Sequence, residues 1–405
     1  MEVFLQILIA LFFGIAAGSF TGLVPGLHIN LVSLLLLSSS AYFLGFTTPF
    51  VLVVFIVSMG ITHTFLDAIP SIFLGAPDAD MAMSVLPGHK MLLDGKGYEA
   101  VKLTVIGSLM ALIFTILLIP SMVLLVPKIY QFLQPYIGYI LVLVVVFMIL
   151  KEASLNSKFW GFYVFFISGI LGVIALSVPN FRQPLFPLLS GMFGISTLII
   201  SLNSKTELPK QHLTESARIS IKNKLKAIFA AVFSGSLTAI FPALGPAQAA
   251  VIAMEFVGNI GTYAFMILIG GVNTVNFLFS LVTLYTIDKA RNGAIVAASE
   301  IIGKINLIEF SSLILIALAA GGIAAILTLN IAKIFSNMIN KVNYGMMCTG
   351  IILLITTLSF VFSGFLGFLV LLISTAIGLM PPLLGVKRSH AMGCLLMPVI
   401  IYFIL

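Results

Sequence analysis

The sequence predicts an all-α polytopic membrane protein built as two repeats in inverted relation. Discontinuous or re-entrant helices are expected among its about 10–14 membrane segments. Three observations carry that reading. The chain is 60% hydrophobic and 8% charged over 405 residues, which excludes an ordinary soluble domain. Apolar stretches of spanning length recur from end to end. One interrupted apolar pattern also occurs twice, as Gly18-Ser19-Phe20-Thr21-Gly22-Leu23-Val24-Pro25-Gly26-Leu27-His28-Ile29-Asn30 and as Gly235-Ser236-Leu237-Thr238-Ala239-Ile240-Phe241-Pro242-Ala243-Leu244-Gly245-Pro246. Gly18, Ser19, Thr21, Pro25 and Leu27 fall on Gly235, Ser236, Thr238, Pro242 and Leu244. Matched Gly/Pro-broken segments point to a transporter's binding site.

Taken in order, the first helix is expected over residues 4–23 and is read as retained, because no positive n-region of a signal peptide precedes it. Pro25-Gly26 breaks it, and an apolar segment follows over 27–44. A further span starts near Pro49 and is expected to be interrupted between Gly60 and Asp67. Residues 69–86 are apolar but carry Pro70, Gly75, Pro77, Asp78 and Asp80. Irregular backbone at membrane depth survives only beside protein or a wet cavity, so residues 67–88 read as a hairpin or discontinuous segment. Residues 89–102 read as the first polar connection. Clean spans are expected over 103–126, 136–150, 159–178 and 185–202. In the second half, helices are expected from about 225 to the break at Pro242, and then over 247–257, 263–287, 307–329, 346–362, 365–380 and 390–405, with a polar connection over 288–304.

This divides the chain into an N-terminal repeat (1–202), a basic loop (203–226) and a C-terminal repeat (227–405). The loop holds Lys205, Lys210, Arg218, Lys222, Lys224 and Lys226 against Glu207 and Glu215, which makes it cytoplasmic by the positive-inside rule. The net charge of +7 therefore bears on topology. No aromatic-plus-basic nucleic-acid motif accompanies it. Cys348 and Cys394 are isolated in apolar sequence and read as small buried hydrophobes.

Two groups of residues are candidates for function. Each Pro-centred break frees backbone polar groups. The helix N-termini after Pro25 and Pro246 offer free N–H groups and partial positive charge to an anion. Ser19, Thr21, Pro25, Gly26, His28 and Asn30, with Ser236, Thr238, Pro242 and Gly245, are the substrate-binding candidates of the two breaks. The competing explanation is a pair of plain kinks. The second group is His63 and Asp67, four residues apart and so on one helix face if that turn is helical. An ionisable residue inside the membrane is a functional hypothesis by default: Asp67 takes a proton or helps hold Na⁺, or else pairs with His63 to stabilise a bend. Asn273 and Asn276 occupy a comparable stretch of the second half and offer amide donors and acceptors. Glu255 is either a coupling carboxylate or an interfacial group. Neither a catalytic carboxylate cluster nor a metal-spaced histidine set can be assembled, and Asp78-Ala79-Asp80 alone does not make a magnesium site. No cofactor is expected beyond a coupling H⁺ or Na⁺.

At these residues the chain resembles the large membrane subunit, the TctA-like permease, of the tripartite tricarboxylate transporter family. The likeness rests on Gly18 to His28, on Ser71-Ile72-Phe73-Leu74-Gly75-Ala76-Pro77, on Leu86-Pro87-Gly88-His89-Lys90-Met91 and on Lys96-Gly97. In the second half it rests on Pro242-Ala243-Leu244-Gly245-Pro246. The resemblance implies a secondary carrier of carboxylated anions driven by an ion gradient, working with a small membrane subunit and an extracytoplasmic binding protein. The sequence reading is thus a multi-pass permease of the cytoplasmic membrane, with the lipid bilayer and a small anion as its partners, and not an enzyme. A polyprenyl-phosphate lipid flippase uses the same anion-binding breaks and stands as the alternative. An intramembrane lipid-modifying enzyme would need the carboxylate cluster that is missing.

Overall fold

A computed structural model of the protein describes residues 2–24, 29–76, 79–179, 181, 183–203, 209–213, 219–240, 245–290, 292–339 and 344–404. The described residues are predominantly helical, with no strand among them. The first half contains α1 (Glu2–Leu23), α2 (Ile29–Ser38), α3 (Ser40–Phe43), α4 (Pro49–Leu66), α5 (Val85–Leu93), α6 (Gly97–Leu133), α7 (Ile137–Leu150), α8 (Leu155–Ser177), α9 (Leu185–Leu189) and α10 (Ser196–Asn203). The second half contains α11 (Ile221–Ile240), α12 (Pro246–Val257), α13 (Gly261–Ile287), α14 (Gly293–Ile302), α15 (Leu307–Ile339), α16 (Tyr344–Leu384) and α17 (Gly393–Ile404). Seven described stretches are long and apolar enough to cross a membrane, and four shorter apolar ones accompany them. Phe12 and Phe13 on α1 and Phe159, Phe162 and Phe166 on α8 are exposed, as lipid-facing positions must be. The protein is a multi-pass protein of the cell membrane.

Small residues set the packing. A membrane offers little hydrophobic drive between helices, so close backbone approach matters. Gly14, Gly18 and Gly22 line one face of α1. A Cβ at Gly14 would stand 2.6 Å from the Phe55 carbonyl oxygen and one at Gly22 would stand 2.9 Å from Leu66 Cβ, while one at Gly18 would meet the Met59 carbonyl. The contacts advance together along both chains, so α1 and α4 run in the same direction. The same relation joins α11 to α13, where Gly235 abuts Val275 and the Val272 carbonyl. Two parallel neighbours need a return between them. Here α2 and α12 help provide it, at about 15 and 18 Å if straight, against a hydrocarbon core of about 30 Å.

The structure corrects several sequence expectations. Helix α4 continues unbroken through Gly60 to Leu66. Gly60 is not a break; it makes room for the Phe277 ring. The discontinuity starts at Asp67 and runs through a π-helical turn (Pro70–Leu74), Gly75 in the left-handed region at φ 62° and a 3₁₀ turn (Ala79–Ser84). Residues 89–102 are not a polar loop. They hold the end of α5 and the start of α6, with His89 and Glu99 buried. The expected clean span over 185–202 is α9, a π-helical stretch (Ser190–Ile195) and α10, since Pro187, Gly191 and Gly194 do not support regular helix. Residues 288–304 contain α14. The separation of the two spans near 364 is visible inside α16 as Gly364 at φ 66°, ψ −163°.

Candidate functional site

The two most enclosed spans, α4 and α13, cross at the centre of the molecule. Within α13's most apolar window 94% of residues are buried, against 28% for α1, so α13 faces protein nearly all round. Gly60 meets Phe277, Thr64 Oγ1 lies 3.1 Å from Thr274 Oγ1, and Asp67 meets Asn273. One index rises as the other falls, so these two helices are antiparallel. Polar side chains gather at this crossing inside an otherwise apolar core.

Asp67 is 2% exposed and accepts a hydrogen bond from Asn273 Nδ2 at 2.6 Å. The Asp67 backbone N–H donates to the His63 carbonyl at 3.0 Å, so the turn joining them is helical and not interrupted as expected. The His63 ring reaches α1, with Nδ1 3.1 Å from Thr21 Oγ1. In the second half Thr238 Oγ1 on α11 lies 2.7 Å from Asn276 Oδ1 on α13 and 2.6 Å from the Gly235 carbonyl oxygen. A hydroxyl has one proton. If Thr238 donates it to Gly235, the Asn276 amide turns to donate to Thr238. Thus Thr21, His63, Asp67, Thr238, Asn273 and Asn276 converge on the crossing helices, each nine-tenths or more buried.

The other candidates lie differently. Ser19 and Ser236 donate to carbonyls of their own helices, Ile15 at 2.8 Å and Val232 at 2.6 Å. Asn30 packs against Gly293 at the start of α14. Gly245 is the N-cap of α12, with Pro246 in the first turn. Glu255 is bonded to Lys151 at 3.1 Å, with side-chain exposures of 10% and 41%, so it joins an ion pair at the end of α12. Pro25, Gly26, His28 and Pro242 lie outside the described residues, as do Asp78 and the side chain of Asp80. Among the described residues no group of three His, Cys, Asp or Glu side chains is placed to hold a metal ion.

Sequence reasoning missed a second polar cluster. Glu152, after α7, lies 2.9 Å from His390 Nε2 and 3.9 Å from Lys387 Nζ. Arg388 Nη1 donates to Thr197 Oγ1 at 2.5 Å and, more weakly, to Ser196 Oγ at 3.5 Å. The two partners of each contact lie more than 190 residues apart in the chain, and no local pattern links them. Nearer the surface, Lys96 donates to Tyr263 at 2.8 Å, and that bond raises its pKa.

A helical membrane protein with an enclosed polar crossing between two broken-helix pairs is of the transporter class. The sequence signature of the tripartite tricarboxylate transporter TctA family matches residues 8–393, and the chain belongs to that family. It is also similar to an uncharacterized protein of Methanocaldococcus jannaschii, 31% identical over 409 residues that cover 98% of this chain and 99% of the relative. No solved structure matches it.

Proposed function

We propose that the chain is a secondary active carrier of an organic anion, a di- or tricarboxylate, whose site lies where α4 crosses α13, with Asp67 as the coupling group. One observation carries this reading. Thr21 and Thr238 touch the crossing through His63 and Asn276, and each stands four residues before the proline of its break. Helices α1 and α11, which end two residues beyond Thr21 and Thr238, therefore both stop within about one helical turn, roughly 5 Å, of the same crossing. The N-terminus of α12, with Pro246 in its first turn, then offers the anion backbone N–H groups and a favourable dipole. Asp67 comes from the first half and its amide partner from the second. A proton or Na⁺ arriving at that carboxyl changes the contact between the halves, which is how an ion gradient would bias the conformation that opens to either side.

The repeat reading draws support from matched contacts. Gly18 abuts the Met59 carbonyl and Gly235 the Val272 carbonyl. Gly172 and Gly393 abut the carbonyls of Cys394 and Phe165, while Gly378 and Gly191 abut those of Met192 and Leu371. Ser168 lies within 3.4 Å of the His390 carbonyl and Ser374 within 3.1 Å of that of Pro187. These last contacts cross between halves: α8 packs on α17, and α16 packs on the π-helical stretch before α10. Corresponding helices α4 and α13 are antiparallel, as inverted repeats require. A small membrane subunit and an extracytoplasmic binding protein are the proposed partners.

The test is equilibrium binding of radiolabelled citrate and succinate to the purified chain in nanodiscs, across pH and with or without Na⁺. Saturable binding tightened by one of the two ions is expected. Folded protein that binds neither acid, but moves polyprenyl phosphate between vesicle leaflets, would overturn the carrier reading in favour of a lipid flippase.

A further inference from the structure

We infer that Arg388, held by Ser196 and Thr197, is an anion subsite that takes a carboxylate of the transported acid. The inference rests on the carrier reading above. The chain around the 3₁₀ turn Arg388–Met392 carries three basic side chains close together. Two of them, Lys387 and His390, face Glu152. Arg388 points instead at the start of α10, where it meets two hydroxyls. Ser196 donates its own proton to the Met192 carbonyl at 2.6 Å and Thr197 donates to that of Phe193 at 2.6 Å, so both present lone pairs to the guanidinium. They satisfy part of its hydrogen-bonding capacity and none of its charge. Among the described residues no carboxylate pairs with it.

A half-buried guanidinium with only neutral acceptors is costly in a membrane protein. Its remaining N–H groups form a planar fork that matches a carboxylate with two parallel bonds. The place also fits. Thr197 precedes Leu198, whose side chain stands 3.2 Å from where a Cβ of Gly75 would be. Gly75 ends the π-helical turn that follows Asp67. Through Leu198 and Gly75, the start of α10 that holds the guanidinium is packed against the irregular segment that leaves the crossing at Asp67.

The matched contacts supply an internal control. Gly191 and Met192 answer to Gly393 and Cys394, a spacing of 202 by subtraction. At that spacing Arg388 answers to Phe186, and Ser196 and Thr197 answer to Pro398 and Val399. The other half carries apolar residues at all three of these positions, so the repeated pattern itself does not call for a cation.

Citrate affinity should fall at least tenfold in Arg388→Gln and by less in Arg388→Lys, which keeps the charge but loses the fork. Both variants should keep the unliganded thermal midpoint. A parallel measurement on the wild-type chain does not depend on any variant folding: citrate should slow phenylglyoxal modification of Arg388, read by mass spectrometry of its peptide. Wild-type citrate binding with an unprotected Arg388, or Arg388→Gln with unchanged affinity, would sink the subsite and leave the carrier standing. Protection of Arg388 by inorganic phosphate, with citrate and succinate inert, would overturn the carboxylate assignment and the carrier reading together.

Discussion

At the residue scale, Asp67 shows how far one sequence can be read. A carboxylate in a long apolar run stood out as a candidate, whereas the helical turn that joins it to His63 fell where an interruption was expected. Its side-chain partner was not visible, because Asn273 lies 206 positions away and only the crossing brings it near. Asp67→Asn keeps an oxygen that accepts from the Asn273 amide and removes the titratable charge. Folded stability should therefore stay within about 1 kcal/mol of the wild type, since the hydrogen bond is retained. The ion dependence of citrate binding should disappear. Normal pH and Na⁺ dependence in that variant would make Asp67 a structural residue. Glu152, His390 and Arg388 left no trace in the sequence reading for the same reason: the basic residues near 388 stood alone until the fold placed Glu152 and Thr197 beside them.

At the element scale, glycine served two purposes that sequence pattern could not separate. Gly60 looked like an interruption, yet α4 passes through it as regular helix, as α13 passes through Gly270-Gly271. They are places where another element comes close. Gly107 on α6 faces the Ile267 carbonyl, and Gly270 faces that of Thr104. Ser108 adds a bond to the Gly270 carbonyl at 3.0 Å. Near the two ends of this contact, Lys96 reaches Tyr263 and Lys289 reaches Tyr130 at 3.1 Å, so α6 and α13 lie side by side in the same direction. A methyl group at Gly107 must push two backbones apart, whereas Gly322 on α15 has open space around it. Gly107→Ala should cost about 1–3 kcal/mol through overpacking. Gly322→Ala should be neutral or stabilising by up to about 1 kcal/mol. Unfolding of both variants in mixed micelles measures the difference, and equal stabilities would remove close approach as the reason for Gly107. The ends of α1 and α11, the kink near Gly364 and the irregular stretch after Asp67 were legible because proline and clustered small residues disfavour regular helix whatever packs against them. The π-helical stretch at Ser190–Ile195 was not: its few breaking residues sit in apolar sequence that otherwise reads as an ordinary span.

At the scale of the whole molecule, orientation and assembly both follow from how the halves are joined. The residue 203–226 segment carries six Lys/Arg, so it should face the cytoplasm. Both native cysteines are buried and give little background. An impermeant maleimide should therefore leave Ser204→Cys unlabelled in intact cells, and ready labelling would reverse the topology. Assembly is a stricter matter. The end of each half packs on the other: α17 lies against α8, α16 against the 190–195 stretch, and α6 against α13. Each half alone would expose these glycine-lined faces and the polar crossing to lipid, where Asp67 would lose its amide partner. The connecting segment itself is anchored to the first half. Gln211 is 5% exposed, accepts from the Gly97 N–H at 2.9 Å and donates to the Leu92 carbonyl at 2.8 Å, and the His212 N–H donates to the Gly95 carbonyl at 2.9 Å. A cut after Leu213 leaves all three bonds within the first fragment. Residues 1–213 and 214–405 produced together should copurify as a complex with the thermal midpoint of the intact chain lowered by several degrees, because joining the halves removes association entropy. Each fragment produced alone should aggregate or be degraded. A monodisperse, thermally cooperative single half would show that the halves are independent domains merely tethered by the basic segment, and the interlocked arrangement on which the shared site depends would be lost with it.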